Sequence, residues 1–343
     1  MIGMNTTTDT NGQLEEALER LHLAGPERDG WLTNHAPMVV EALAAHGHAG
    51  AVHRWVDRYR ARLEDFPGRL APVTDDNWPE ALGDPRRIAD WTDHFSRTLA
   101  ERPWRDVLAE WWPRLLPGMY GGATHVVIRL GHAVRALESG ESAPRRNELA
   151  HALGYWAARH QPLTGIAELR GATSARDSLE AVPPITPGIT GFRNRLAAVH
   201  RLPVWGEDIT DPDTAREHLT ELVRATTHRY ATHGHGEPTM LVHAATAPNA
   251  VLRTLDSLPR ELWAPSLRAA WTAAAAVTAM YTPREPVDYR PAARLTAEEV
   301  MEQALAHGDE HVIKLADTAL DVGDEQALAA ARRAIEISDP LDS

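Results

Sequence analysis

Gly121-Gly-Ala-Thr-His125-Val-Val-Ile-Arg-Leu-Gly-His132-Ala-Val-Arg-Ala-Leu137 carries its apolar residues at the spacing of one helical face, after a glycine pair that punctuates the chain. The same i, i+3, i+4, i+7 period recurs in Gln13–Leu23, Pro37–Ala45, Ala51–Phe66, Pro85–Ala100 and Trp104–Leu116. It continues in Arg145–Arg159, Ala215–Tyr230, Arg260–Met280, Ala297–Ala306, Glu310–Val322 and Asp324–Ile337. Alternating β-branched runs are nearly absent, so the fold class is all-α, a single large irregular multi-helix bundle. Pro/Gly breaks separate the helices at Phe66-Pro-Gly, Leu116-Pro-Gly, Val182-Pro-Pro-Ile-Thr-Pro-Gly and Thr282-Pro-Arg-Glu-Pro. The domain is expected to span residues 13–338, with a lid or subdomain boundary at 181–191 and a polar, frayed start over 1–12. There is no fixed-period repeat of the kind a helical solenoid needs.

A chain of 343 residues allows either two domains or one large helical unit, with ample sequence for a core. The formal net charge of −13 argues against nucleic acid or an anionic membrane as partner, because both require a basic surface. A small molecule or a protein is the expected partner, and the sequence does not fix the oligomeric state. No apolar run reaches the roughly 20 residues of a membrane span, and the start lacks an apolar signal region, so a cytoplasmic protein is expected. Zero cysteines exclude disulfides, thiolate zinc sites, iron–sulfur clusters and cysteine nucleophiles together. Eleven Trp against three Phe is an unusual balance; most of these rings are expected in helix packing, with some available to line a pocket for a flat aromatic ligand.

Among 18 histidines, four sit in apolar settings. His35 lies in Thr33-Asn-His-Ala-Pro-Met38, where Asn34 can cap the helix that Pro37 opens. His125 stands early in its helix, His243 lies in Met240-Leu-Val-His-Ala-Ala-Thr-Ala247, and His311 precedes Lys314 by three, on the same helical face. Single imidazoles contributed by different helices are how bundles assemble a central site for iron, zinc or copper. His132 lies on the inner face too, about 10.5 Å along the axis from His125, so His125 is taken as the ligand and His132 as a supporting or substrate-facing residue. Lys314 is the only lysine beside 34 arginines. An amine can lose its proton where a guanidinium cannot. Next to a dication it acts either as a neutral base or, as favoured here, as a carbamylated lysine whose carboxylate is an oxygen ligand.

Competing patterns are weaker. His307-Gly-Asp-Glu-His311 has the H-x-x-E-H order of inverted zinc peptidases, but Gly308-Asp309 reads as a helix stop followed by a cap. Glu148-x-x-His151 is half of a carboxylate-bridged di-iron motif with no second half. His228, His233 and His235 read as a polar loop more than as a site, and His46 and His48 take the same reading. Nucleotide-binding and nucleophile-elbow glycine motifs are absent, so no tightly bound flavin or nicotinamide is expected.

Asn34-His-Ala-Pro-Met-Val-Val-Glu-Ala-Leu43 with the following His53/Trp55/Tyr59 helix, Gly121 to Ala136, Leu241-Val-His-Ala-Ala-Thr246 and His311-Val-Ile-Lys314 together resemble the questin oxidase-like family, over about residues 30–320. The resemblance implies an oxygenase with mononuclear non-haem iron, held mainly by histidines in a helical fold, that oxidatively opens rings of anthraquinone-type polyketides. Carried onto this sequence, it implies Fe(II) on His35, His125, His243, His311 and carbamylated Lys314, with about one position left for dioxygen or a substrate oxygen. The expected function is oxygen insertion into, or cleavage of, a ring in a polycyclic aromatic or quinone metabolite, with Lys314 and His132 as catalytic candidates. External NADPH or another reductant is compatible with this chemistry. The alternatives are a zinc hydrolase using the same histidines and a non-catalytic helical binding protein.

Overall fold

Ser174, Asp211, Thr296, Asp309 and Asp324 each cap the helix that follows, their side chains accepting from backbone N–H groups of its first turn. The computed structural model describes residues 3–283 and 285–342, which form two compact units divided between Gln161 and Pro162. The stretch 181–191, where the sequence suggests a lid or subdomain boundary, lies within the second unit. There the Ile185 N–H donates to the Ala279 carbonyl at 3.0 Å. The division falls where Pro162, which has no N–H to continue a helix, follows the exit from a helix ending at Ala158.

The first unit contains α1 (Gly3–Leu21), α2 (Ala36–Ala45), α3 (Val52–Tyr59), α4 (Trp78–Ala81), α5 (Ile88–Glu101), α6 (Trp104–Leu115), α7 (His125–Ser139) and α8 (Ala143–Ala158), plus an antiparallel pair of β1 (Glu27–Arg28) and β2 (Leu32–Thr33). α1 begins at Gly3, inside the stretch 1–12 for which the sequence suggests a frayed start; Met1 and Ile2 lie outside the described residues. The second unit contains α9 (Ala175–Glu180), α10 (Phe192–Ala197), α11 (Pro212–His233), α12 (Pro238–Thr254), α13 (Trp263–Tyr281), α14 (Ala297–His307), α15 (Glu310–Val322) and α16 (Glu325–Ile337), with β3 (Ala167–Leu169) parallel to β4 (Arg201–Pro203). The class is all-α. Among the described residues no helix is long and apolar enough to cross a membrane.

Nine of the eleven tryptophans are buried, which answers the aromatic imbalance. In the first unit Trp91, Phe95 and Trp111 stack and cross edge-to-face, with Trp78 at 5.3 Å from Trp111, and Trp112 crosses Trp156 at 5.5 Å. These large rings fill space between helices that elsewhere approach closely. At Gly154 of α8, an added Cβ would lie 2.8 Å from the backbone nitrogen of Thr92 on α5.

Buried charges tie the first unit together. Glu148 of α8 accepts two bonds from Arg129 of α7, at 2.6 and 2.9 Å, and one from His22 at 3.1 Å. Glu41 of α2 accepts from His132 Nδ1 at 2.6 Å and from Arg135 at 2.8 and 2.5 Å, both on α7. In the second unit Arg253 of α12 pairs with Asp317 and Asp321 of α15, and Asn249 donates to Asp321 at 2.9 Å. A carboxylate this deep is tolerated only because its oxygens are occupied by charged donors.

Close approach at Gly154 predicts that Gly154→Ala forces α5 and α8 apart. The expected loss is about 1–3 kcal/mol, the usual cost of overpacking, read as a lower urea midpoint at unchanged slope. An unchanged midpoint would show that the two helices are not in fixed contact.

Candidate functional site

In the first unit the site is built by two helix starts. Asn34 Oδ1 accepts from the Ala36 N–H at 3.0 Å while its amide donates to the Gly25 carbonyl at 2.9 Å. The sequence suggests Asn34 as the cap itself; it acts one position earlier, which leaves His35 as the residue at the N-cap of α2. The His35 N–H donates to the Tyr59 hydroxyl at 3.3 Å. His125 is the first residue of α7.

Before His125, Gly122, Ala123 and Thr124 have φ of 53°, 55° and 71°. Glycine takes this conformation without penalty, but Ala and Thr each meet a steric cost of roughly 1–2 kcal/mol there. Gly122 has no room for a side chain: a Cβ would meet the Tyr155 hydroxyl at 2.5 Å, and that hydroxyl is itself bonded to Thr33 Oγ1 at 2.7 Å. Strain kept in place by surrounding contacts is typical of functional positions. Its local result is that the Gly122 carbonyl turns back onto the ring of His125.

His125 Nδ1 donates to that carbonyl at 2.6 Å, which leaves the ring's lone pair on Nε2. Nε2 faces His35 Nε2 at 2.7 Å, with the rings crossed at 83°. Two arrangements suit such a contact: an N–H···N hydrogen bond, or two lone pairs turned to a shared cation. Nitrogen ligands about 2.1 Å from one ion and at right angles lie about 3 Å apart, so the pair needs only a slight separation to hold a metal. A carbonyl behind the ligating imidazole is the support such ligands usually have. Both imidazoles stand at the positive ends of helices, where the peptide dipoles disfavour imidazolium.

His132 is buried but apart from this pair, held by Glu41. Burial alone would raise the Glu41 carboxyl; the Arg135 charge and the bonds from His132 and Arg135 outweigh it and hold the group at about 2. His132 is therefore placed in a clamp between α2 and α7, not beside His125.

In the second unit His243 lies on α12, fully buried, with Nδ1 donating to the Met240 carbonyl at 3.1 Å. Burial and the nearby Lys314 charge push it down to about 3, so it is a neutral imidazole with its lone pair on Nε2. Its ring centre is 5.4 Å from that of His311, at 75°. His311 is the second residue of α15, whose N-cap Asp309 accepts from the N–H groups of His311 and Val312 at 2.9 and 3.0 Å. One turn further on, Lys314 is completely buried. Burial drives its amine down to about 7, with Glu310 and Asp309 opposing the shift.

Glu310 is a candidate that the sequence patterns do not single out. Its side chain is buried, and one ligand atom each from Asp309, Glu310 and His311 lies within 4.8 Å of the others. The acid is visible in the order His307-Gly-Asp-Glu-His311, but only as part of a peptidase pattern. That pattern is broken: α14 ends at His307, Gly308 turns at φ 82°, and His307 Nε2 donates to the Ser338 carbonyl at 3.1 Å. The di-iron half-motif resolves into a packed ion cluster. Glu148 serves Arg129 and His22, and His151 stacks on His22 at 4.6 Å, pushed down to about 3 by burial and by the charges of His22 and Arg129.

The geometry defines an all-α protein with a pair of buried imidazoles in each unit. Residues 32–186 match the model of the family described as Questin oxidase-like, so the resemblance read from the sequence is shown for that segment. The match takes in a little under half of the chain, with His35, His125 and His132 inside it and His243, His311 and Lys314 outside. None of the curated proteins compared with the chain matches it. The family implies an oxidoreductase, and a histidine cluster of this kind is able to hold a metal.

Two outcomes test the first unit. Ala123→Gly removes left-handed strain at the expense of backbone entropy and is expected to raise stability by up to about 1 kcal/mol, read as a higher melting temperature; a drop would mean that Ala123 is not strained. For Glu41 the folded carboxyl is depressed, so its contribution is fully present above about pH 4.5 and is lost as pH falls through about 2. The stability gap between wild type and Glu41→Gln should therefore be widest near neutrality and shrink toward pH 2 in urea titrations. A gap that is constant with pH would refute the clamp.

Proposed function

We propose that this chain is a metal-dependent oxygenase, with iron as the metal, acting on a polycyclic aromatic or quinone-type polyketide metabolite by oxygen insertion or ring cleavage. In this reading the candidate metal ligands are His35 and His125 in the first unit and His243, His311 and Lys314 in the second. The observation that carries it is the His125 ring, whose Nδ1 is committed to the Gly122 carbonyl and whose Nε2 is aimed at His35 Nε2. Support in the second unit comes from His243, oriented by the Met240 carbonyl in the same way. The family implication of an oxidoreductase supplies the reaction class.

Bound iron supplies the one-electron chemistry through which dioxygen reacts with a closed-shell organic substrate. The chain's own residues do the rest. Neutral imidazoles contribute no charge, so a dication among helix N-termini needs anionic ligands to offset it. Glu310, buried beside His311, is one candidate, and Lys314 becomes another by carbamylation. With a pKa near 7, a large share of the Lys314 amine is neutral at physiological pH. The neutral nitrogen adds to the carbon of carbon dioxide, an N–C bond forms, a proton leaves, and the product is a carboxylate. The clamp of Glu41 on His132 and Arg135 fixes α7, and with it His125.

Metal analysis and oxygen uptake with quinone substrates test the reading. About one iron per chain is expected, with both iron and oxygen uptake reduced at least about 100-fold in His125→Ala and in His243→Ala. Intact-mass and peptide spectra of gently handled protein should place an added carboxyl group on Lys314. Zinc accompanied by peptidase or esterase activity would instead establish a hydrolase. No bound metal, with stability unchanged in His243→Ala and Lys314→Met, would establish a binding protein.

A further inference from the structure

A cavity of about 200 Å³ opens in the second unit between α9, α11 and α16, lined by residues that include Leu179, Ala225, Arg229, Tyr289 and Ala329. None of them belongs to the proposed metal ligands. Arg229, near the end of α11, is half-buried, and its Nε is enclosed without a hydrogen-bond partner. Among the described residues the guanidinium makes no ion pair; Glu180 acts on it only through space, while burial works against its charge. A guanidinium does not escape that cost by losing its proton. Among the described residues other guanidinium groups in the interior are matched by carboxylates, Arg129 by Glu148 and Arg253 by Asp317. A half-buried guanidinium that lines a void and has no ion-pair partner leaves room for a ligand to supply the counter-charge.

The remaining lining narrows the ligand. Arg176 adds a second positive charge at the exposed rim and Glu180 a negative one. His228 is tied to Asp324 at 2.7 Å, and His233 is pushed down to about 4 by burial and by Arg229, so it is neutral. One positive charge is left unbalanced, which suits a monoanion better than a phosphate dianion. The rest of the wall is apolar, formed by Leu179, Ala225 and Ala329, and Tyr289 presents a ring whose centre lies 4.9 Å from the Arg333 guanidinium. A cavity of about 150 Å³ accepts a benzene ring, so this one has space for a single ring bearing a carboxylate and not for a polycyclic quinone.

We propose that this cavity binds a single-ring aromatic monocarboxylate, its carboxylate on Arg229 and its ring against Leu179, Ala225 and Ala329. The site is separate from the proposed metal centre, so either reading can fail alone. Calorimetric titration of the full chain with benzoate tests it. One binding event per chain is expected, at least about tenfold weaker for neutral benzamide and for acetate, since removing a charged hydrogen bond or the ring contact each forfeits that much. Arg229→Met should lose binding at least tenfold yet melt at a higher temperature, because it removes a half-buried charge that has no ion-pair partner. Ala329→Met, which fills the void and keeps the arginine, should also lose binding, and His125→Ala should retain it. Benzoate binding equally well to Arg229→Met or Ala329→Met, binding lost in His125→Ala, or no binding to the wild type at millimolar concentration would overturn the proposal.

Discussion

Everything in the first unit's imidazole pair depends on one buried carboxylate. Glu41 sits six residues beyond His35 on α2, and its partners His132 and Arg135 sit seven and ten residues beyond His125 on α7. The two contacts therefore occur in the same order along both helices, which lie side by side in the same direction with their N-termini together. A carboxylate holding both His132 and Arg135 at 2.5–2.8 Å permits little sliding of one helix against the other. A slip of one residue would rotate His125 by about 100° away from His35. The clamp thus converts an electrostatic pairing in the core into the placement of two nitrogens at the helix ends.

Placing the proposed ligands at helix starts has an electrostatic consequence. His35 is at the N-cap of α2, His125 opens α7 and His311 is second in α15. Each faces the positive end of a peptide dipole array, which favours neutral imidazole but opposes a bare dication. The same field favours anions, whether ligand carboxylates or a substrate that has lost a proton. A dication bound as proposed at any of these helix starts would be held best together with negative charge. Buried Glu310 and the exchangeable amine of Lys314 are the residues through which this chain can provide that charge.

Helical period and end signals carry most of the fold in the sequence. Glu310–Val322 is found with the bounds its pattern dictates, and Gly308 and Asp309 act as the stop and cap their chemistry requires. α12 is hidden from the periodicity although it carries His243. Pro238 and Pro248 lie within it, the first at its start where no N–H is needed and the second accommodated inside. The left-handed run through Ala123 and Thr124 has no signal at all, since neither residue type favours it; only the contacts of Tyr155 with Gly122 and Thr33 explain it. Pairings across the chain are equally silent. Nothing in local spacing joins Glu41 to His132 or Arg129 to Glu148, because these bonds are decided by how helices pack and not by their period.

Lysine at position 314 is the residue for which burial changes the argument most. On a solvated helix face a lone lysine among 34 arginines would be ordinary codon drift, but the side chain has no exposure. The chain does bury guanidinium groups when it needs a permanent charge. Arg129 is matched by Glu148, and Arg145 donates to the Ala136 and Gly140 carbonyls and to Ser139. Those positions offset a fixed charge with fixed partners. Position 314 lies next to a histidine that its charge pushes further toward the neutral form, and beside two acids that favour the ammonium. A group held between those influences, near neutrality, is one whose charge can change, and arginine has no counterpart to that property. A permanent positive charge would have been met by the residue this sequence uses everywhere else, so the retained amine supports the proposed role of Lys314.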